Sequence, residues 1–227
     1  MARRSWATKV AALAVVPLAL TAGCGLETEP EPHDDAEVLP SEAPLELPGL
    51  PDADSAREQL AALTVAEPAS MEGYSRDRFP HWSTEDGCTV RQQVLQRDGE
   101  EVRVGDDCQP TSGTWLSPYD NVTVTEAGEV DIDHMVPLAN AWRSGADEWS
   151  DDEREVFAND LTRPQLLAVT ARSNREKGDQ GPDTWVPEAD AFHCVYGRAW
   201  TAVKHHYELT VTEAERDTLT ELLDTCG

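Results

Sequence analysis

Two short stretches of this chain hold groups that could do chemistry together: Asp131-Ile132-Asp133-His134 and, forty residues on, Ser173-Asn174-Arg175-Glu176-Lys177-Gly178. An unperturbed imidazole titrates near neutrality, so His134 can take a proton from water. The oxygens of Asp133 and Asn174 suit Mg²⁺, a hard cation that keeps several waters and binds through few protein groups. Such an ion polarises phosphoryl oxygens and stabilises a leaving alkoxide. Arg175 and Lys177 add positive charge for phosphate oxygens. Either stretch alone is a weak signal, because an acidic residue beside His is most often structural and Asn-x-x-Lys-Gly is common at helix starts. Both in this order, with an apolar run between them, point to one-metal hydrolysis of a phosphodiester.

Those groups need elements to hold them. Val122 and Val124 alternate with Thr123 and Thr125, and Val130 and Ile132 alternate with Asp131 and Asp133. With Glu126-Ala127-Gly128-Glu129 between them, this predicts a β-hairpin whose valine and isoleucine face the core and whose carboxylates face away. Residues 150–158 read as an inserted acidic helix and Gln165–Thr170 as an apolar run. Ser173-x-x-Glu176 reads as a capping box opening a short helix closed by Gly178 and Pro182. That helix would put Asn174 at its N-terminus, where free backbone N–H groups face an anion. Upstream, Ser55-x-x-Glu58 opens another short helix, Thr89–Gln96 is a helical turn ended by Asp98-Gly99, and Val102 and Val104 suggest a strand. The loop Tyr74–Trp82 is aromatic and basic. His81-Trp82 with Arg76, Arg78 and Arg91 either lines a substrate groove or packs as aromatics behind a solvated arginine fringe. His205-His206 reads as a solvated helix tip, and Asn121-Val122-Thr123 is a glycosylation sequon.

The stretch Gln165-Leu166-x-x-Val169-x-x-x-x-Asn174-x-x-Lys177-Gly178 resembles the second half of the HNH nuclease motif, and Asp133-His134-x-x-Pro137 resembles the first. Residues from about Tyr74 to Cys226 are similar to the secreted branch of the HNH (His-Me finger) family related to the C-terminal domain of GmrSD-type restriction enzymes. The resemblance implies an α+β fold with a ββα-metal core and added helices. It implies His134 as general base, Asp133 and Asn174 as metal ligands, and endonuclease activity on DNA or RNA that leaves 5′-phosphate and 3′-hydroxyl ends. Asp131 and Gln165 would lend structural support. Gln165 stands where the motif has its central Asn, and Asn159 is the alternative brace for the histidine loop.

The chain of 227 residues carries 18 Lys+Arg against 44 Asp+Glu, a net charge of −26. That charge repels nucleic acid and excludes a site-specific DNA binder, which would need a basic helix or finger array. Locally, Arg163, Arg172, Arg175 and Lys177 face only Glu176 within residues 161–178, a basic patch able to hold a phosphate next to a cation. A rival reading is a surface-anchored binding lipoprotein that keeps the metal-site fold without catalysis. A second rival is a metal-dependent phosphodiesterase for small substrates.

Arg3, Arg4 and Lys9 followed by the apolar Val10–Ala22 make residues 1–23 a signal segment too short to span a bilayer. Thr21-Ala22-Gly23-Cys24 resembles a bacterial lipobox, which would lipidate Cys24 and make the lipid the only membrane contact; plain cleavage and secretion is the alternative. Residues 24–55 hold ten acidic residues, six Pro and no Lys or Arg, and read as a disordered tether before a folded domain at 56–227. Taking Cys24 away leaves an even set, Cys88, Cys108, Cys194 and Cys226, in an exported, monomeric domain. We expect Cys88–Cys108 and Cys194–Cys226. For the second, residues 191–207 and 212–225 read as two helices of similar length, the latter opened by the capping box Thr212-x-x-Glu215. Folded back as a hairpin at about 1.5 Å per residue, they bring both sulfurs to one end. No Cys-x-x-Cys pair supports a zinc site.

Overall fold

The computed structural model describes residues 46–227. The signal segment, Cys24 and most of the expected tether lie outside the described residues. Order begins earlier than the boundary expected at residue 56. Leu47 is buried in the core, and α1 (Ala53–Ala62) opens at Asp52, whose carboxylate accepts from the Ser55 amide. Asp52 is therefore the cap, and Ser55 sits inside the first turn. A carboxylate satisfies the same orphan amides that a hydroxyl would.

A two-residue ribbon of β1 (Thr84–Glu85) and β2 (Cys88–Thr89) leads into α2 (Val90–Asp98), capped by a reciprocal Thr89–Gln92 box. β3 (Glu100–Val104), β4 (Pro110–Ser117) and β5 (Val122–Val124) form an antiparallel sheet in that order. The expected hairpin of residues 122–125 with 130–133 does not form. β5 pairs with β4, and β6 (Val130–His134) pairs antiparallel with β7 (Leu166–Thr170), placing Asp133 opposite Leu167 and His134 opposite Leu166. Residues 127–129 make a 3₁₀ turn instead of a hairpin turn. β7 is buried at all five positions and gives β6 a longer, drier partner than β5 could.

The connector between β6 and β7 carries α3 (Leu138–Arg143) and α4 (Asp151–Ala158), the latter capped by Ser150 and Glu153 as its acidic sequence implies. α5 (Ala171–Lys177) follows β7 directly. Its cap is Thr170, which accepts from the Ser173 amide, so Asn174 lies in the middle of the helix and not at its N-terminus. α6 (His193–His206) and α7 (Glu213–Asp224) close the chain, with the Thr212–Glu215 box in place. Both expected disulfides form, with Cα–Cα distances of 5.6 Å for Cys88–Cys108 and 5.0 Å for Cys194–Cys226. Among the described residues no helix is long and apolar enough to cross a membrane. The result is a mixed α/β domain.

The β6–β7 ribbon lies between two apolar clusters. Val130, Ile132, Leu166 and Ala168 join Val94, Leu95 and Trp115 on the α2 side. Leu167 and Val169 join the main core with Tyr119, Phe157 and Trp200. Of the carboxylate face expected to point away from the core, Asp133 is thus buried, and Asp131 is left half-exposed.

Candidate functional site

Strand alternation sends His134 to one face of β6 and Asp131 and Asp133 to the other. On the carboxylate face, Asp133 is buried and holds the Lys177 ammonium, at 3.1 Å to Oδ1 and 2.8 Å to Oδ2. The Tyr119 hydroxyl donates to Oδ2 at 2.6 Å. Lys177, 0% exposed, also donates to the His134 carbonyl at 2.9 Å. Burial raises the Asp133 carboxyl and lowers the Lys177 ammonium; each opposes the shift of the other, so they titrate as a pair. One turn up α5, the Asn174 amide donates to Asp131 Oδ2 at 3.1 Å, on a half-exposed edge.

On the other face, His134 is 4% exposed, with Trp82 and His81 beside it at ring-centroid distances of 5.6 and 6.3 Å. Its Nε2 lies 2.9 Å from the Ala158 carbonyl at the end of α4. A carbonyl only accepts, so Nε2 carries the proton and the neutral ring keeps its lone pair on Nδ1. Burial pulls the His134 pKa down to about 3, and the charges of Arg76, His81 and Lys177 push the same way, so the ring is neutral throughout the physiological range. The loop after His134 is braced by Gln165, whose amide accepts from Val136 N at 3.1 Å and donates to Val136 O at 3.0 Å. Gln165 makes both bonds itself. Asn159 braces a different loop, bonding Ser83 N and Pro80 O on either side of His81-Trp82. Nothing in the sequence alone paired Asn159 with that loop or Lys177 with Asp133, since both contacts join segments more than forty residues apart.

The structure therefore brings Asp133 to Lys177 and Asn174 to Asp131, and gives each pair its own hydrogen bonds. A divalent cation needs free oxygen lone pairs. Asp133 meets a lysine on both oxygens and a tyrosine on one, so this arrangement does not fit a cation held jointly by Asp133 and Asn174. Among the described residues no group of three or more His, Cys, Asp or Glu side chains is placed to hold a metal. The expected basic patch also disperses. Arg172 pairs with Glu188 at 3.0 Å and lies 3.7 Å from Asp120. Arg163 donates to Thr162, and Lys177 is consumed by Asp133. Arg175 alone of the four stays exposed and without an ion pair among the described residues. Elsewhere His205 and His206 are exposed at the tip of α6, and His193 bonds the Pro187 carbonyl at 2.8 Å.

Residues 90–222 match the family described as GmrSD restriction endonucleases, C-terminal domain. An "Uncharacterized secreted protein" of Arthroderma benhamiae is 51% identical over 191 residues, covering 83% of this chain and 94% of the relative. No solved structure matches. The chain belongs to the GmrSD C-terminal domain family, a nuclease-type restriction endonuclease family.

Proposed function

We propose that this protein is an HNH-type endonuclease that hydrolyses phosphodiester bonds of DNA, or of RNA, with little sequence preference. The observation that carries the proposal is the His134 imidazole, whose Nε2–H is fixed on the Ala158 carbonyl so that Nδ1 is left as acceptor. In this reading β6, β7 and α5 are the ββα unit of the family. His134 Nδ1 takes a proton from water, the resulting hydroxide attacks phosphorus, and the P–O3′ bond breaks to leave a 5′-phosphate. The leaving oxygen gains a proton to become the 3′-hydroxyl. A low pKa keeps the base unprotonated but makes it a weak one, so positioning must contribute much of the rate. Arg175 is the exposed cation of α5 available to a phosphate. The net charge of −26 makes association slow and sensitive to salt.

Dependence on a divalent cation such as Mg²⁺ belongs to the same proposal, but no step above is routed through it, because Lys177 occupies the Asp133 carboxylate. That contact also favours the second reading, a surface-anchored binding protein that keeps the fold without catalysis. The name of the relative, a secreted protein, supports action outside the cell; a monomeric state and lipid anchoring through Cys24 belong to the proposal alone.

Plasmid degradation by the purified protein, with and without Mg²⁺, with EDTA, and with His134→Ala, tests the proposal. We expect His134→Ala to lose about 10²–10⁴-fold in kcat/KM. Equal rates for His134→Ala and the parent protein would eliminate this mechanism. No cleavage under any metal would leave the binding reading.

A further inference from the structure

We propose that Arg76 and His81 form a subsite for a nucleic-acid backbone phosphate beside His134, presented by the loop 74–82 and held in place by Asn159. This rests on the nuclease reading above and names where its substrate strand is gripped.

In a chain with 44 acidic residues, arginines find carboxylates easily. Arg97, Arg172 and Arg216 do so. Of the loop's two arginines, Arg78 pairs with Asp151 at 3.6 Å and stacks 5.2 Å over Trp142. Arg76 is exposed and has no carboxylate partner among the described residues; its Nε points at His81 Nε2, 3.4 Å away. His81 Nδ1 donates to the Phe79 carbonyl at 2.8 Å, which leaves Nε2 as the acceptor turned toward Arg76. A guanidinium whose Nε is oriented by an imidazole acceptor keeps its remaining N–H donors free, as an anion site requires.

The position of this pair matches the candidate reaction centre. Its imidazole is 6.3 Å from that of His134. Positioning is shared with the base. Ala158 holds His134, and the next residue, Asn159, holds Pro80 and Ser83 on either side of His81-Trp82. Trp82 adopts φ +64, in the left-handed region that a bulky residue enters only when its surroundings hold it there. One short segment thus fixes the base and the loop that carries Arg76.

Binding is measured separately from cleavage, by fluorescence anisotropy of a labelled single-stranded oligonucleotide in EDTA, over a salt series, with the full chain. Loss of one phosphate contact reduces the slope of log K against log salt by about 0.7. We expect that reduction in Arg76→Ala, the parent slope in Arg76→Lys, and weaker binding at the parent slope in His81→Ala. Arg76 is exposed, so its replacement does not threaten folding. An unchanged slope in Arg76→Ala, or no binding by the parent protein, overturns the subsite. The two readings can fail apart. A protein that shows the slope change but cleaves nothing keeps the subsite and loses the nuclease. One that cleaves while Arg76→Ala keeps the parent slope keeps the nuclease and loses the subsite.

Discussion

Two lysines are wholly buried in this domain, both close to one indole: Lys177 lies 5.8 Å and Lys204 5.9 Å from the Trp200 ring centroid. Each faces a buried carboxylate, yet their surroundings differ. Lys204 donates to Ser144 Oγ, the Thr210 carbonyl and both oxygens of Glu215. Glu215 also accepts from Asn140 and from the Thr212 amide. These partners come from the end of α3, the α6–α7 turn and α7, and each oxygen of Glu215 already accepts two donors. Lys177 ties Asp133 to the carbonyl of His134, next to an imidazole with a free nitrogen and an edge, Asp131–Asn174, that reaches solvent. Burial and ion pairing are therefore the same in a staple and in a candidate site. What separates them is whether the neighbours still have donors and acceptors to offer.

The sharpest way to break that comparison is to cut both pairs. Removing one member of a buried pair strands the other charge, so Lys204→Met and Lys177→Met should each lose about 3–5 kcal/mol in urea unfolding. Removing both members should restore most of it, in Lys204→Met/Glu215→Gln and in Lys177→Met/Asp133→Asn. Activity is expected to separate the doubles. The Lys204 double should keep the parent kcat/KM, while the Lys177 double frees the His134 loop and should lose on the order of 10²-fold. Equal activity in the two would make Lys177 a second staple.

Proton linkage gives the next largest effect. Burial holds Lys204 at about 8, below the ordinary lysine value, against the attraction of Glu215. Below that pH both folded and unfolded chains carry the proton, and the fold bears the whole cost of burying it. As pH rises from about 8 toward the ordinary value, the unfolded chain still holds a proton that the fold has released. Stability from this group therefore rises with pH, by at most about 1.4 kcal/mol per unit. Urea midpoints from pH 8 to 10 should show an upward trend in the parent protein relative to the Lys204→Met/Glu215→Gln double. Parallel curves would show that the pair exchanges no proton in that range.

The two regions were unequally legible in the sequence. The α6–α7 hairpin announced itself, because Thr212-x-x-Glu215 is a local signal and two helices of matched length must bring Cys194 to Cys226. The candidate site was legible as residue types and not as contacts. Alternation at 122–125 and 130–133 fits any antiparallel partner, and choosing β7 over β5 depends on burial that no short window reports. The assumption of one wet strand face failed at Asp133, which is buried while Asp131 keeps a half-exposed edge, and that is why Asp133 needed a cation from within the chain. Gln165 departs from the motif residue by one methylene and still reaches both backbone groups of Val136, a matter of reach that the residue type does not settle.

That brace and the Asn159 brace invite the same comparison at smaller scale. Gln165→Leu leaves the Val136 N–H and C=O unpaired in a buried loop and should cost about 1–3 kcal/mol. Asn159→Ala frees a half-exposed loop that water can reach, and should cost less in urea while still weakening oligonucleotide binding through Arg76. A larger stability loss for Asn159→Ala would mean that the loop 80–83, not the His134 loop, is the rigid one.

The smallest effect concerns the start of α5. Ser173 looked like its cap, but Thr170 accepts the Ser173 amide at 3.2 Å, and both hydroxyls donate to Asp120, at 2.6 Å from Thr170 and 2.8 Å from Ser173. Thr170→Ala removes a cap and one bond to Asp120, about 1 kcal/mol or somewhat more. Ser173→Ala removes only the bond to Asp120 and should cost less, whereas Thr212→Ala, at the start of α7, should cost about 1 kcal/mol as a cap alone. If Ser173→Ala instead exceeds Thr170→Ala in thermal unfolding, α5 begins three residues later in solution. Asn174 would then stand at the helix N-terminus, and its backbone amides would be open to an anion.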